Sequence, residues 1–297
     1  MMRQYAYGCA ALAFICLGCA PQAKAELKAM TDHAMGEVTG QGVMDIETIP
    51  GVDHQFTRVT LGMDVETRVN IDSVQMGQID GGSDFDATQV ALGHIARDGD
   101  GVQYNGKTYA DGEAVPFEAV QPYLELAKDP VADRLSGFRM GFRQARGSVS
   151  SVTSSFSGNI GVQLVDDAGV AHDATLFDAA SQATNKRAGF IGINDGAVAA
   201  DCSTGTNCAP LSHLQSLIVG SDNGDGTSDF TSDFFIGFQR EGVNWQSPDG
   251  SGATVNAGQG VFINLPSNMK INMSQLAGPN GVPRLRTQQA DMGTKLF

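Results

Sequence analysis

From Arg58 to Ile71 the chain alternates with a period of two. Val59, Leu61, Met63, Val65, Val69 and Ile71 interleave with Arg58, Thr60, Gly62, Asp64, Glu66, Arg68 and Asn70. Successive strand side chains point to opposite faces, so this pattern asks for a strand with one apolar and one wet face. A single strand over 59–71 would run about 43 Å at ~3.3 Å per residue, longer than strands usually are. A bulge near Gly62, or a bend into a second sheet, is expected.

Shorter alternations recur at Ile160/Val162/Leu164, Phe234/Ile236/Phe238, Val261/Ile263/Leu265 and Met269/Ile271/Met273. Turn sequences punctuate the chain: Asp80-Gly81-Gly82-Ser83, Asp98-Gly99-Asp100-Gly101, Asn223-Gly224-Asp225-Gly226 and Asp249-Gly250-Ser251-Gly252. Such turns supply the positive φ that tight reversals need. The expected fold is all-β: an antiparallel β-sandwich, or an irregular β-solenoid-like sheet protein, most strands having one wet face. Residues 137–144 (Gly-Phe-Arg-Met-Gly-Phe-Arg-Gln) echo 233–240 (Asp-Phe-Phe-Ile-Gly-Phe-Gln-Arg). The β-rich domain, 43–297, is accordingly read as one body or as two related halves, about 43–198 and 199–297.

Residues 1–25 read as a signal peptide. Arg3 supplies the charge, Ala10 to Gly18 the short apolar run, and Ala23-Lys24-Ala25 the small-residue cleavage site. A competing reading is lipidation at Cys19, after Leu17-Gly18. Neither this run nor any later one reaches the ~20 apolar residues of a spanning helix. Over 26–42, Leu27, Met30, Ala34 and Val38 recur at helical spacing before Gly40 and Gly42, which predicts a short amphipathic helix. The expected location is the periplasm, the cell surface or the medium.

The chain carries 19 basic and 33 acidic side chains, a formal charge of −14. Processing removes Arg3 and Lys24 and no acid, leaving 17 against 33, or −16. That balance argues against nucleic acid and anionic lipid surfaces as partners. Cys202 and Cys208 would be the remaining cysteines. Six residues apart in a Gly/Ser/Thr loop, they are expected to pair in an oxidising compartment.

Calcium is the cofactor candidate. In Ser221-Asp222-Asn223-Gly224-Asp225-Gly226-Thr227-Ser228-Asp229, donors recur at alternate positions: Ser221, Asn223, Asp225 and Asp229, with Gly226 sixth. This resembles part of an EF-hand or dockerin-type loop. Ser at the first position and Ser232 at the twelfth depart from it, and a plain Asn/Asp/Gly turn is the competing reading.

Catalytic patterns are missing: the sequence holds no Gly-x-Ser-x-Gly, His-Glu-x-x-His, Gly-x-Gly-x-x-Gly or phosphate loop. His33, His54, His94, His172 and His213 lie far apart. No enzyme is expected. Nor is an outer-membrane barrel: counting back from Phe297, alternate positions are Lys295, Gly293, Asp291 and Gln289, too polar for a lipid-facing strand.

Several segments resemble a family of exported gammaproteobacterial proteins, mostly uncharacterised, some described as pilus-system or surface-filament components. They are Leu27…Met30-Thr31-Asp32…Met35-Gly36-Glu37-Val38-Thr39-Gly40-Gln41-Gly42, Pro122-Tyr123-Leu124-Glu125-Leu126, Gly137-Phe138-Arg139-Met140-Gly141-Phe142, Ser157-Gly158-Asn159-Ile160 and Arg284-Leu285-Arg286-Thr287…Leu296-Phe297. These short motifs span most of the chain. The resemblance implies a secreted or surface-associated β-protein and carries over no catalytic residue.

The functional expectation is an exported, non-catalytic structural or adhesive surface protein, pilus- or filament-associated. It would self-associate, or join other surface proteins, through sheet edges or the N-terminal segment. The alternative is a periplasmic or surface binding module for a small ligand or polymer, with Phe138, Phe142, Phe234, Phe238 and Trp245 lining its cleft. A hydrolase is the third reading.

Overall fold

A computed structural model describes residues 44–288 apart from 79, 197–198 and 268. The predicted helix over 26–42 and the cleavage region lie outside the described residues. Four strands open the fold: β1 (Met44–Pro50), β2 (Gln55–Leu61), β3 (Asp64–Thr67) and β4 (Val69–Met76). β5 (Phe85–Leu92) precedes the short β6 (His94–Ile95) and β7 (Ala114–Val115). The long strands β8 (Phe117–Asp129) and β9 (Arg134–Ser155) follow. Then come β10 (Gly158–Ile160), β11 (Gln163–Val165), β12 (Ala171–Asp173), β13 (Thr175–Phe177), β14 (Phe190–Gly192) and β15 (Cys208–Pro210). A 3-10 turn (Leu211–His213) leads to β16 (Ser216–Val219), β17 (Ser221–Asp222) and β18 (Ser228–Asp229). The chain closes with β19 (Phe235–Gln239), β20 (Val243–Gln246), β21 (Thr254–Ala257), β22 (Gly260–Leu265), β23 (Lys270–Asn272) and the five-residue helix α1 (Met273–Ala277).

The main sheet has eleven strands among the described residues: seven follow the path β1-β2-β8-β9-β19-β22-β10, and β3, β4, β5 and β16 lie off it, β3 continuing β2 along β8. The 22-residue β9 belongs to two layers. Its first half lies between β8 and β19, and its second half lies between β5 and β16. The exchange occurs at Gly147, whose φ of +138° L side chains rarely adopt. A Cβ there would also come within 3.0 Å of the Phe117 backbone. The alternating stretch from Arg58 makes the same passage. It breaks at Gly62–Met63, continues as β3, then crosses at Arg68 into β4, which pairs β5 in the second layer. The expected bend is present, and β2 to β4 are separate strands.

Among the described residues, strand pairs are antiparallel except β10–β22 and β11–β23, which are parallel. The proposed division near residue 198 does not separate two sheets. β9 pairs β19 and β10 pairs β22, so strands from both halves interleave within one sheet. The echoing segments are neighbours in one sheet: Phe138 faces Phe238 and Gly141 faces Phe235. The last predicted alternation also differs, since Met273 begins α1.

The larger core gathers Phe85, Phe117, Phe156, Leu164, Ile191, Leu211 and Leu276. A smaller one, with Phe56, Phe235, Trp245 and Phe262, forms where the β20–β21 hairpin covers the far side of the main sheet. Among the described residues no helix is long and apolar enough to cross a membrane.

Candidate ligand-binding cleft

Register decides which side chains share a face. Ile46 stands opposite Val59, Val59 opposite Leu124, Leu124 opposite Met140, Met140 opposite Ile236, and Ile236 opposite Ile263. An unbroken apolar row thus crosses six strands. A parallel row runs Leu126, Phe138, Phe238, Val261. Phe138 and Phe238 stack with centroids 4.9 Å apart, and Phe142 stacks on Phe234 at 5.9 Å. Opposite this floor, the second layer presents Val69, Ile71, Val74 and Met76 from β4, Val90 and Leu92 from β5, and Val149 from β9. The layers enclose a cleft of about 790 Å³. That lies inside the usual range for ligand pockets, about 300–1,000 Å³.

The other face of the same sheet carries the charges. Arg58 is opposite Glu125, and Glu125 is opposite Arg139. The Arg58 Nε donates to Glu125, and the Arg139 Nη2 donates to both carboxylate oxygens at 3.1 and 3.3 Å. Arg58 also reaches the half-exposed Glu47 at 3.0 Å. The Arg139 guanidinium lies 4.9 Å from the Phe235 ring, 5.0 Å from Trp245 and 5.3 Å from Tyr123. These ring faces attract the cation where acceptors run out. Burial pushes the Tyr123 hydroxyl up to about 12.

The two faces are therefore inverted relative to their chemistry. Arg58, Glu125 and Arg139 are 3, 0 and 0% exposed, while Leu124 and Met140 on the apolar face are 39 and 45% exposed. Burying charge costs several kcal/mol per ion unless paired, whereas apolar surface gains ~25 cal/mol per Å² on leaving water. The covering hairpin sits on the side where burial is dearer. The side where burial is favourable stays partly open.

Of the aromatic residues expected in a cleft, Phe142 and Phe234 line it. Phe238 packs against the larger core and Phe138 stacks on Phe238, neither lining the cleft. Trp245 does not belong to it: the indole is fully buried on the opposite face, 5.6 Å from Phe56.

The calcium candidates occupy the β17–β18 hairpin. Ser221 and Asp229 pair across its base. The Asp225 carboxylate accepts from the Thr227 backbone at 2.9 Å and from its hydroxyl at 2.5 Å, which holds Asp225 below the usual carboxylate range. The Asn223 amide donates to Thr227 at 3.1 Å. The Asn223 backbone N–H also donates to the Thr227 carbonyl at 3.1 Å, and Ser228 ties the hairpin to Tyr104 and Arg146. No cluster of three His, Cys, Asp or Glu suited to a metal occurs among the described residues. Cys202 and Cys208 form a disulfide with a Cα separation of 5.0 Å, anchored where β15 begins.

Two histidines have notable partners. His94 is buried, with Nδ1 at 2.9 Å from Ser148 Oγ and Nε2 at 3.0 Å from Gln103, and burial lowers its pKa. This serine–histidine contact is sealed from solvent and does not line the cleft. His172 bridges Asp166 at 3.1 Å and Asp195 at 2.5 Å, and its pKa is raised, chiefly by the Asp166 hydrogen bond. Comparison with protein-family models, curated proteins and solved structures finds no match, so the site is read from its own geometry.

Proposed function

We propose that this chain is an exported, non-catalytic β-rich binding module that holds an apolar small molecule in the cleft between its two layers. One observation carries the reading: the charged face of the main sheet is sealed while its apolar face stays partly open. Domain interiors pack to crystal-like density, and large apolar clefts mark binding sites. Export is supported by the Ala-x-Ala leader pattern and by the Cys202–Cys208 disulfide, a bond that persists in oxidising compartments. The family resemblance points the same way, to a periplasmic or surface setting.

The test is titration of the processed protein with an environment-sensitive naphthylamine dye. Saturable, stoichiometric fluorescence enhancement is expected, weakened by Met140→Glu, which puts a carboxylate on the exposed floor. No saturable enhancement would refute the binding role.

A second reading, surface assembly, has its own support. Among the described residues β1 pairs on one side only, with Met44 and Ile46 exposed. Exposed edges template further strands. Sedimentation over a wide concentration range separates the two readings: growth into oligomers favours assembly, and a constant monomer favours the binding module.

A further inference from the structure

Resting on the binding role proposed above, we infer that the cleft's ligand is a single-chain lipid. Its linear acyl chain enters tail-first, and an uncharged or zwitterionic head stays at the mouth. The first argument is composition. No charged side chain lines the cleft. Its hydroxyls, Ser151 and Thr153, hydrogen-bond to each other at 2.8 Å. Tyr123 is buried toward the arginine face, within cation–π range of Arg58 and Arg139. A head group or heteroatom-rich ring carried inside would lose its hydration with nothing to replace it. Hydrocarbon loses nothing.

The second argument is shape. From Val59 through Leu124, Met140 and Ile236 to Ile263 the floor crosses five adjacent strands, about 19 Å at ~4.8 Å per step. A volume of about 790 Å³ spread along such a floor is long and narrow. Exposure is uneven around the cleft: along the floor it peaks at Leu124 and Met140 and falls to the buried Ile263. Ile71, Leu124 and Met140 are exposed, whereas Phe156, Leu211 and Leu217 are buried. The cleft therefore has a mouth and a closed end, the geometry that admits a chain by its tail. Met76 and Met140 add unbranched, adaptable walls.

The third argument is charge. The chain's formal charge is −14. The exposed Asp72 follows Ile71 at the mouth, whereas Glu47 on β1 is held by Arg58 on the opposite face. An anionic head is repelled there, and salt screens that repulsion.

Dye displacement tests the inference. The competitors are monoacylglycerols of increasing chain length, the matching fatty acids, and a rigid fused-ring sterol. Monoacylglycerol affinity is expected to rise about fourfold per methylene, then level off when the chain meets the closed end. Fatty acids should bind more weakly than monoacylglycerols of equal length, the gap narrowing in high salt. Leu217→Phe should move the plateau to shorter chains, an effect that general destabilisation would not produce. If the dye binds but affinity ignores chain length, or the sterol competes best, the acyl-chain inference falls and the apolar-binding role stands. Tighter binding of the acids would overturn the head-group assignment. A dye that does not bind at all would overturn both.

Discussion

Replacing Glu125 with leucine removes the carboxylate that two buried arginines share. Arg58 would keep Glu47 at 3.0 Å, but Arg139 would keep only the Gln246 carbonyl and its aromatic neighbours. The side chains of Arg139 and Glu125 are both wholly excluded from solvent, so water cannot screen the loss. Breaking such a pair costs ~3–5 kcal/mol. At about 2–4 °C per kcal/mol for a chain of this size, the melting temperature should fall by roughly 6–20 °C. The triple change Arg58→Met, Glu125→Leu, Arg139→Met removes all three charges at once. It should recover most of that loss, because the desolvation penalty disappears with the attraction. Equilibrium urea unfolding measures both, with the slope m expected to stay constant. A single variant within ~1 kcal/mol of the parent, or a triple variant no better than the single one, would refute the reasoning.

Three further outcomes follow. His172 titrates above its unfolded value, so its contribution is complete below about pH 6.5 and is lost as pH rises through the folded pKa. The stability gap between the parent and His172→Gln should therefore be widest near pH 5 and shrink as pH rises through the raised folded pKa, and a gap that widens with pH would contradict the assignment. Opening the Cys202–Cys208 loop with paired serines should cost about 2 kcal/mol while leaving dye binding intact, because the closed loop is short and lies away from the cleft. Calcium titration should leave the melting temperature unchanged, since Asp225 and Asn223 already satisfy Thr227; a rise abolished by Asp225→Asn would establish the loop as a site.

The strand-rich class was legible because alternation and Asp/Asn-Gly turns act locally, and the disulfide was legible because two cysteines six residues apart in a Gly/Ser/Thr loop are close enough to pair. The cleft was hidden by the same rule that revealed the strands. Alternation in β2 marks Arg58 and Thr60 as wet and Val59 and Leu61 as buried. The structure reverses this: Arg58 and Thr60 are buried, and Val59 and Leu61 stand in the half-open cleft. Only register brings Arg58, Glu125 and Arg139 into one row, and 67 residues separate the first two. The echo of 137–144 in 233–240 was the available clue. It marks two strands that stack their phenylalanines face to face, a relation set by tertiary pairing. In β9, glycine and serine interrupt the apolar pattern, so its length and its change of layer at Gly147 left little local signal.

Methyl NMR of protein labelled at the methionine methyl groups tests the central claim most directly. Met76 and Met140 line the cleft, whereas Met63 is exposed outside it and Met273 is buried elsewhere in the larger core. On titration with a monoacylglycerol, the Met76 and Met140 resonances should shift together and saturate, with Met63 and Met273 unmoved. Shifts at Met63 and Met273 alone, or no saturable shift at Met76 and Met140, would contradict an apolar ligand between the two layers.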